Sequence, residues 1–121
     1  MNISGFTVTG TTGDDRTGIY LDGVNDCNIS DNNASNNEKG IYLELSSNNR
    51  LVNNNASNNS IVLDESSNNT LTGNTASYND YGISLYSSSN NTTFNNHFDN
   101  TTTPTTTVPT SGTPPTAQDQ T

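Results

Sequence analysis

The stretch GIYLELSSNNRLVNNNASNN, residues 40–59, decides the fold, because the chain says nearly the same thing before and after it. GIYLDGVNDCNISDNNASNNEK begins at Gly18, SIVLDESSNNTLTGNTASYNDY at Ser60 and GISLYSSSNNTTFNNHFDN at Gly82. The four starts are 22, 20 and 22 residues apart, and NISGFTVTG ahead of them matches the second half of an earlier unit, Ile3 aligning with Ile29. A repeat of this length is the mark of a solenoid.

Within each unit the apolar letters alternate: Ile19 and Leu21, then Ile41 and Leu43, Ile61 and Leu63, Ile83 and Leu85. A period of two is a strand with one buried face. A second inward position follows at Ile29, Leu51, Leu71 and Thr93, and a third at Ala34, Ala56, Ala76 and Phe98. Asn32, Asn54, Asn74 and Asn96 each stand three residues after the second position. Asparagine suits a corner, since it tolerates left-handed backbone and bonds its own main chain. The expectation is therefore an all-β parallel β-helix of about five turns with three short strands per turn. Equivalent residues would stack ~4.8 Å apart, so that the four asparagines form a hydrogen-bonded ladder. A leucine-rich repeat fits the period but not the letters: Gly23 and Glu65 replace Leu45 in the neighbouring units, and no helical period follows.

Composition explains why a repeat is needed. Only 26% of the 121 residues are apolar and the net charge is -9. Such a chain escapes disorder only by burying the same few positions again and again. Three basic residues, Arg16, Lys39 and Arg50, argue against nucleic acid or anionic lipid as partner. There is no apolar run long enough to span a bilayer. The first residues lack the basic and apolar regions of a signal peptide. Cys27 is the sole cysteine, so an intrachain disulfide is excluded.

The repeats GIYLELSSNNRLVNNNASNN and GISLYSSSNNTTFNNHFDN resemble those of NosD-type proteins, within the wider family of carbohydrate-binding and sugar-hydrolase β-helices. Similar repeats occur in exported archaeal surface proteins. The resemblance covers residues 1–100 and implies a right-handed helix and an exported, extracellular or cell-surface location. Enzymes, adhesins and structural proteins share this fold, so it leaves activity open. Residues 101–121, rich in Thr and Pro, read as a disordered linker or stalk. Asn-x-Ser/Thr sequons, at Asn68 and Asn90 among others, agree with an exported surface protein.

For function, the outward positions of the first strand matter most. Alternation places Tyr20 and Asp22, Tyr42 and Glu44, Val62 and Asp64, Ser84 and Tyr86 on one outer face. Tyr20, Tyr42 and Tyr86 are candidates to stack on sugars, and Asp22, Glu44 and Asp64 are candidates to hold calcium. Equally, tyrosine favours strands, and carboxylates keep such a face wet. Stacked acids also match the spacing of a glycosidase pair, but every β-helix with stacked acids does so. The third acid, basic residue and cleft walls of the sugar-cleaving relatives are missing, so no catalytic residue is assigned. Asp14, Asp15, Asp26 and Glu38 read as solvated loop residues. Copper, the metal the NosD resemblance implies, wants Cys, His or Met. Cys27, His97 and Met1 lie on different turns, so the residues do not support it. The expected function is a structural spacer module without cofactor, with binding to a polysaccharide or surface glycan as the alternative and a polysaccharide-cleaving enzyme fragment as a distant third. The uncapped solenoid ends are expected to make the chain self-associate.

Overall fold

The computed structural model describes residues 1–11, 16–78, 82–98 and 106–107, the last pair by backbone alone. Among these residues ten strands form two five-stranded parallel sheets. The first sheet contains β2 (Thr17–Asp22), β4 (Lys39–Glu44), β6 (Ser60–Asp64), β8 (Ile83–Tyr86) and β10 (Thr106–Thr107). The second contains β1 (Asn2–Ser4), β3 (Asn28–Ser30), β5 (Arg50–Val52), β7 (Thr70–Thr72) and β9 (Thr92–Phe94). Strands of the two sheets alternate along the chain, which is the topology of a parallel β-solenoid. Among the described residues, turns begin at β2, β4, β6 and β8. A half-turn containing β1 precedes them, and β10 lies beside β8. The rest of the segment 101–121, expected to be a disordered stalk, lies outside the described residues.

The register follows the sequence alignment. Ile19, Ile41, Ile61 and Ile83 stack on one another, as do Leu21, Leu43, Leu63 and Leu85. Ile3, Ile29, Leu51, Leu71 and Thr93 form the column of the second sheet. The 20-residue turn is accommodated by a register shift between Lys39 and Ile41. All the expected inward residues from Ile29 to Phe98 are buried, and the interior Ile and Leu side chains are wholly so. At ~1.5–3 kcal/mol for each such side chain, this one narrow core is the main force holding the turns together.

The third side is shorter than the expected strand. It is a column of single-residue bridges joining Thr7, Asn33, Asn55, Thr75 and His97. The reason lies in its flanks: Asp31 and Asn36, or Asn53 and Asn58, take positive φ on either side and confine the extended backbone between them. The small inward residues Ala34 and Ala56 let this side approach the first sheet closely. A Cβ on Gly40 would stand 2.6 Å from Ala56 Cβ.

The corners also explain the Asn-Asn doublets. In Asn48-Asn49, Asn53-Asn54, Asn58-Asn59 and Asn68-Asn69 the first residue has positive φ and faces solvent. The second is buried and points inward. One residue type thus does two jobs in succession, turning the chain and satisfying its buried main chain.

Candidate functional site

Two sets of polar side chains stand out, one inside the corners and one on the outer face of the first sheet. The inner set contains the ladder expected from sequence. Asn54 Oδ1 accepts from the Asn32 main-chain N–H (3.1 Å) and from Asn32 Nδ2 (3.0 Å), while Asn54 Nδ2 donates to the Ile29 carbonyl (2.8 Å). Asn74 makes the same bonds to Asn54 and to the Leu51 carbonyl, and Asn96 to Asn74 and the Leu71 carbonyl. Each asparagine therefore serves the turn before its own.

Sequence reasoning missed that the corner after the first strand carries two further ladders. Asn49, Asn69 and Asn91 accept from the N–H groups of Cys27, Asn49 and Asn69, each at 2.8 Å. Ser46, Ser66 and Ser88 accept from the N–H groups of Val24, Ser46 and Ser66 at 2.9 to 3.0 Å. The signal was the Ser-Ser-Asn-Asn, or Ser-Ser-Ser-Asn-Asn, that follows β4, β6 and β8. An inward Ser beside an outward one leaves no apolar trace to mark it.

On the outer face, Tyr20 pairs in register with Tyr42, and their rings stack with centroids 5.2 Å apart and planes 25° from parallel. Asp22, Glu44, Asp64 and Tyr86 form the neighbouring column. The two columns are joined on the diagonal. Tyr20 donates its hydroxyl to Glu44 of the next turn, and Tyr42 donates to Asp64 Oδ2 at 3.2 Å. That hydrogen bond to Glu44, reinforced by the negative charges of Glu44 and Asp22, holds the Tyr20 phenol well above the usual tyrosine range. Lys39 Nζ sits 4.3 Å from the centroid of the Tyr42 ring, a cation–π contact.

The expected site residues thus do share one face, but not equally. Tyr20 is 48% exposed and Tyr86 38%, whereas Val62 and Ser84, expected to face solvent, are buried. Ser84 lies in register with Thr107 of β10, and Val62 sits between Tyr42 and Ser84 in its column. The open part of the Tyr20 column is therefore at β2 and β4, while Tyr86 stands exposed at the end of the neighbouring column on β8. Of the loop acids, Glu38 pairs with Arg16 at 2.9 Å and Asp26 turns a corner at positive φ. Asp14 and Asp15 lie outside the described residues.

Among the described residues no three His, Cys, Asp or Glu side chains form a group able to hold a metal. Nor do the described residues contain a helix long and apolar enough to cross a membrane.

The family model described as "Periplasmic copper-binding protein (NosD)" matches residues 1–113. The chain belongs to the NosD family. No curated protein matches it significantly. A crystal structure of a double mutant of the periplasmic alginate epimerase AlgG is similar, with a TM-score of 0.75 and 31% sequence identity. The match covers 81% of this chain and 25% of that one, so this NosD-family chain spans about a quarter of the epimerase's length.

The copper in the family description does not fit the residues in place. Cys27 is buried in the first corner with Sγ 3.3 Å from the Asn25 carbonyl. His97 lies on the third side of the fourth turn, and Met1 is exposed on the first half-turn. Cys27 and His97, the two stronger copper ligands, are held on separate rungs by the ladder itself.

Proposed function

We propose that this chain is a non-catalytic structural module of an exported NosD-family protein, a rigid solenoid spacer built from internal ladders. The observation that carries this reading is the diagonal pairing on the outer face. Tyr20 with Glu44 and Tyr42 with Asp64 direct their polar groups at each other across successive turns. The tyrosine rings also cover one another's faces, and Lys39 lies over the Tyr42 ring. Such a face is knitted together rather than left open for a substrate. The family description, with its periplasmic location, supports export.

One observation favours a second reading, a carbohydrate-binding module. Tyr20 keeps nearly half its surface open at the end of the tyrosine stack, on a fold similar to that of an alginate epimerase. A sugar would stack on that ring, with Glu44 and Asp22 as acceptors for its hydroxyls. Calcium at Asp22, Glu44 and Asp64 would have to displace the tyrosine hydroxyls from the last two.

Isothermal titration with alginate and with neutral oligosaccharides, in calcium and again in chelator, separates the two. The spacer reading expects no heat from the folded chain with any of them. Binding that Tyr20→Ala abolishes without altering the circular dichroism spectrum would replace it with the recognition module. Loss in chelator would add the carboxylate column as a metal site.

A further inference from the structure

The Asn-x-Ser/Thr sequons look alike in sequence, but the fold treats them differently. An asparagine that carries a sugar must keep its side-chain amide in solvent, because a hydrated glycan cannot be packed inside. Asn91 fails this outright. It and its hydroxyl partner Thr93 are buried, and Asn91 accepts from the Asn69 N–H and donates to the Ser66 carbonyl. Asn33 is locked to its own partner, since the buried Ser35 donates its hydroxyl to Asn33 Oδ1 at 2.7 Å. Asn28 and Asn55 are half-buried, and each spends its Nδ2 on the asparagine one turn earlier, Asn2 and Asn33. Asn58 is exposed but donates from Nδ2 to Asn36 at 2.8 Å. Asn100 lies outside the described residues.

Asn68 and Asn90 differ from all of these. They precede β7 and β9 at corners of positive φ, 59° and 55°, which turn both side chains into solvent. Neither side-chain amide makes a hydrogen bond to the described residues. The middle residues of the two sequons, Asn69 and Asn91, point inward and are buried. Thr70 and Thr92 therefore emerge on the outer side, paired in register on the second sheet. Both groups of the motif, the amide and the hydroxyl, are thus outward and open at these two positions.

We propose that Asn68 and Asn90 carry N-linked glycans, which makes this corner of the third and fourth turns a glycosylated edge. The proposal rests on the exported location of the function proposed above. The donor is an oligosaccharide linked to a lipid through diphosphate, and the enzyme is a membrane oligosaccharyltransferase. Nδ2 attacks C1 of the first sugar, so that an N–C1 bond forms and the C1–O bond breaks. The lipid diphosphate leaves with the electron pair, and the amide nitrogen gives up one proton. The ladders are untouched, since Asn69 and Asn91 hold the main chain of the turn before and Asn68 and Asn90 do not. The two acceptors are one rung, ~4.8 Å, apart. A glycan on one crowds the other, so chains modified at a single position are expected beside chains modified at both.

Mass spectrometry of the protein purified from the cells that make it tests this, with electron-transfer fragmentation to place the sugar and cell fractionation to locate the chain. The expected result is exported protein with sugar on Asn68, Asn90 or both, and with Asn33, Asn55 and Asn91 bare. Thr70→Ala should abolish the sugar on Asn68, and Thr92→Ala that on Asn90, without altering the circular dichroism spectrum. Sugar on Asn33, Asn55 or Asn91 overturns the proposal. So does exported protein that is bare at both Asn68 and Asn90. A bare chain retained inside the cell overturns the exported location with it, which tells the two failures apart.

Discussion

Replacing Asn54 by alanine removes a buried amide from the middle of a ladder, and the structure allows its cost to be worked out. Asn54 is 1% exposed and takes part in four side-chain hydrogen bonds. In Asn54→Ala the Asn32 main-chain N–H loses the side-chain acceptor it has, at a depth water does not reach. An orphaned buried donor costs about 1–3 kcal/mol. The Ile29 carbonyl loses a donor as well, while the Asn32 amide keeps Ile3 and Asn74 Oδ1 keeps the Asn54 N–H. The sum is about 3 kcal/mol, which for a domain of this size lowers Tm by on the order of 15 °C. The neighbouring Asn55 supplies the control. It is half-buried on the outward side, accepts from Ser57 N–H at 3.0 Å and donates to Asn33 at 3.3 Å, so Asn55→Ala should cost under about 1 kcal/mol. Urea unfolding followed by circular dichroism measures both, with an unchanged slope required for the comparison. Equal losses for the two variants would refute the claim that the inward asparagine is the structural one.

Other consequences concern the corners, the close contact at Gly40 and the outer face. Leu45 holds a positive φ of 50° with its side chain 54% exposed, so Leu45→Gly should stabilise by about 1 kcal/mol in the same assay, and Leu45→Ala should not. Gly40→Ala should destabilise by about 1–3 kcal/mol, because the new methyl meets Ala56 Cβ and Asn59 Nδ2 at 2.6 Å and both are fixed. At alkaline pH the Tyr20 bond to Glu44 adds stability fully below the ordinary tyrosine pKa, and this is lost as pH rises through the raised folded value. Ultraviolet titration should therefore show a tyrosine ionising above the usual range, and Tyr20→Phe should remove that step.

The apolar core was legible because the repeat keeps it in phase. Ile41, Leu43, Leu51 and Ala56 recur at fixed offsets, and a parallel stack of identical turns is the arrangement that buries all their counterparts together. The Asn32–Asn96 ladder could be read for the same reason. What stayed hidden was the part written in letters with more than one use. Ser46 and Ser47 look alike, yet the first is buried against main chain and the second faces outward. Leu45 and Glu65 occupy a left-handed corner that their side chains do not favour, so no propensity announces it. On the outer face, alternation placed Tyr20, Tyr42, Glu44 and Asp64 on one side but said nothing of rungs being joined diagonally. Alternation likewise predicted exposure for Val62 and Ser84, which depends on the rest of the chain rather than on the strand's own period.

The central claim is that each turn's buried Asn and Ser side chains hold the main chain of the turn before it. Amide hydrogen exchange at Cys27, Asn32, Asn49, Asn54, Asn69 and Asn74 tests it most directly, because these N–H groups donate to side-chain oxygens at corners rather than to strand partners. The account predicts protection at all six equal to that of the strand amides of Leu43 and Leu63. Rapid exchange at the six, with the strands still protected, would show corners held by nothing but the turns themselves and would contradict it.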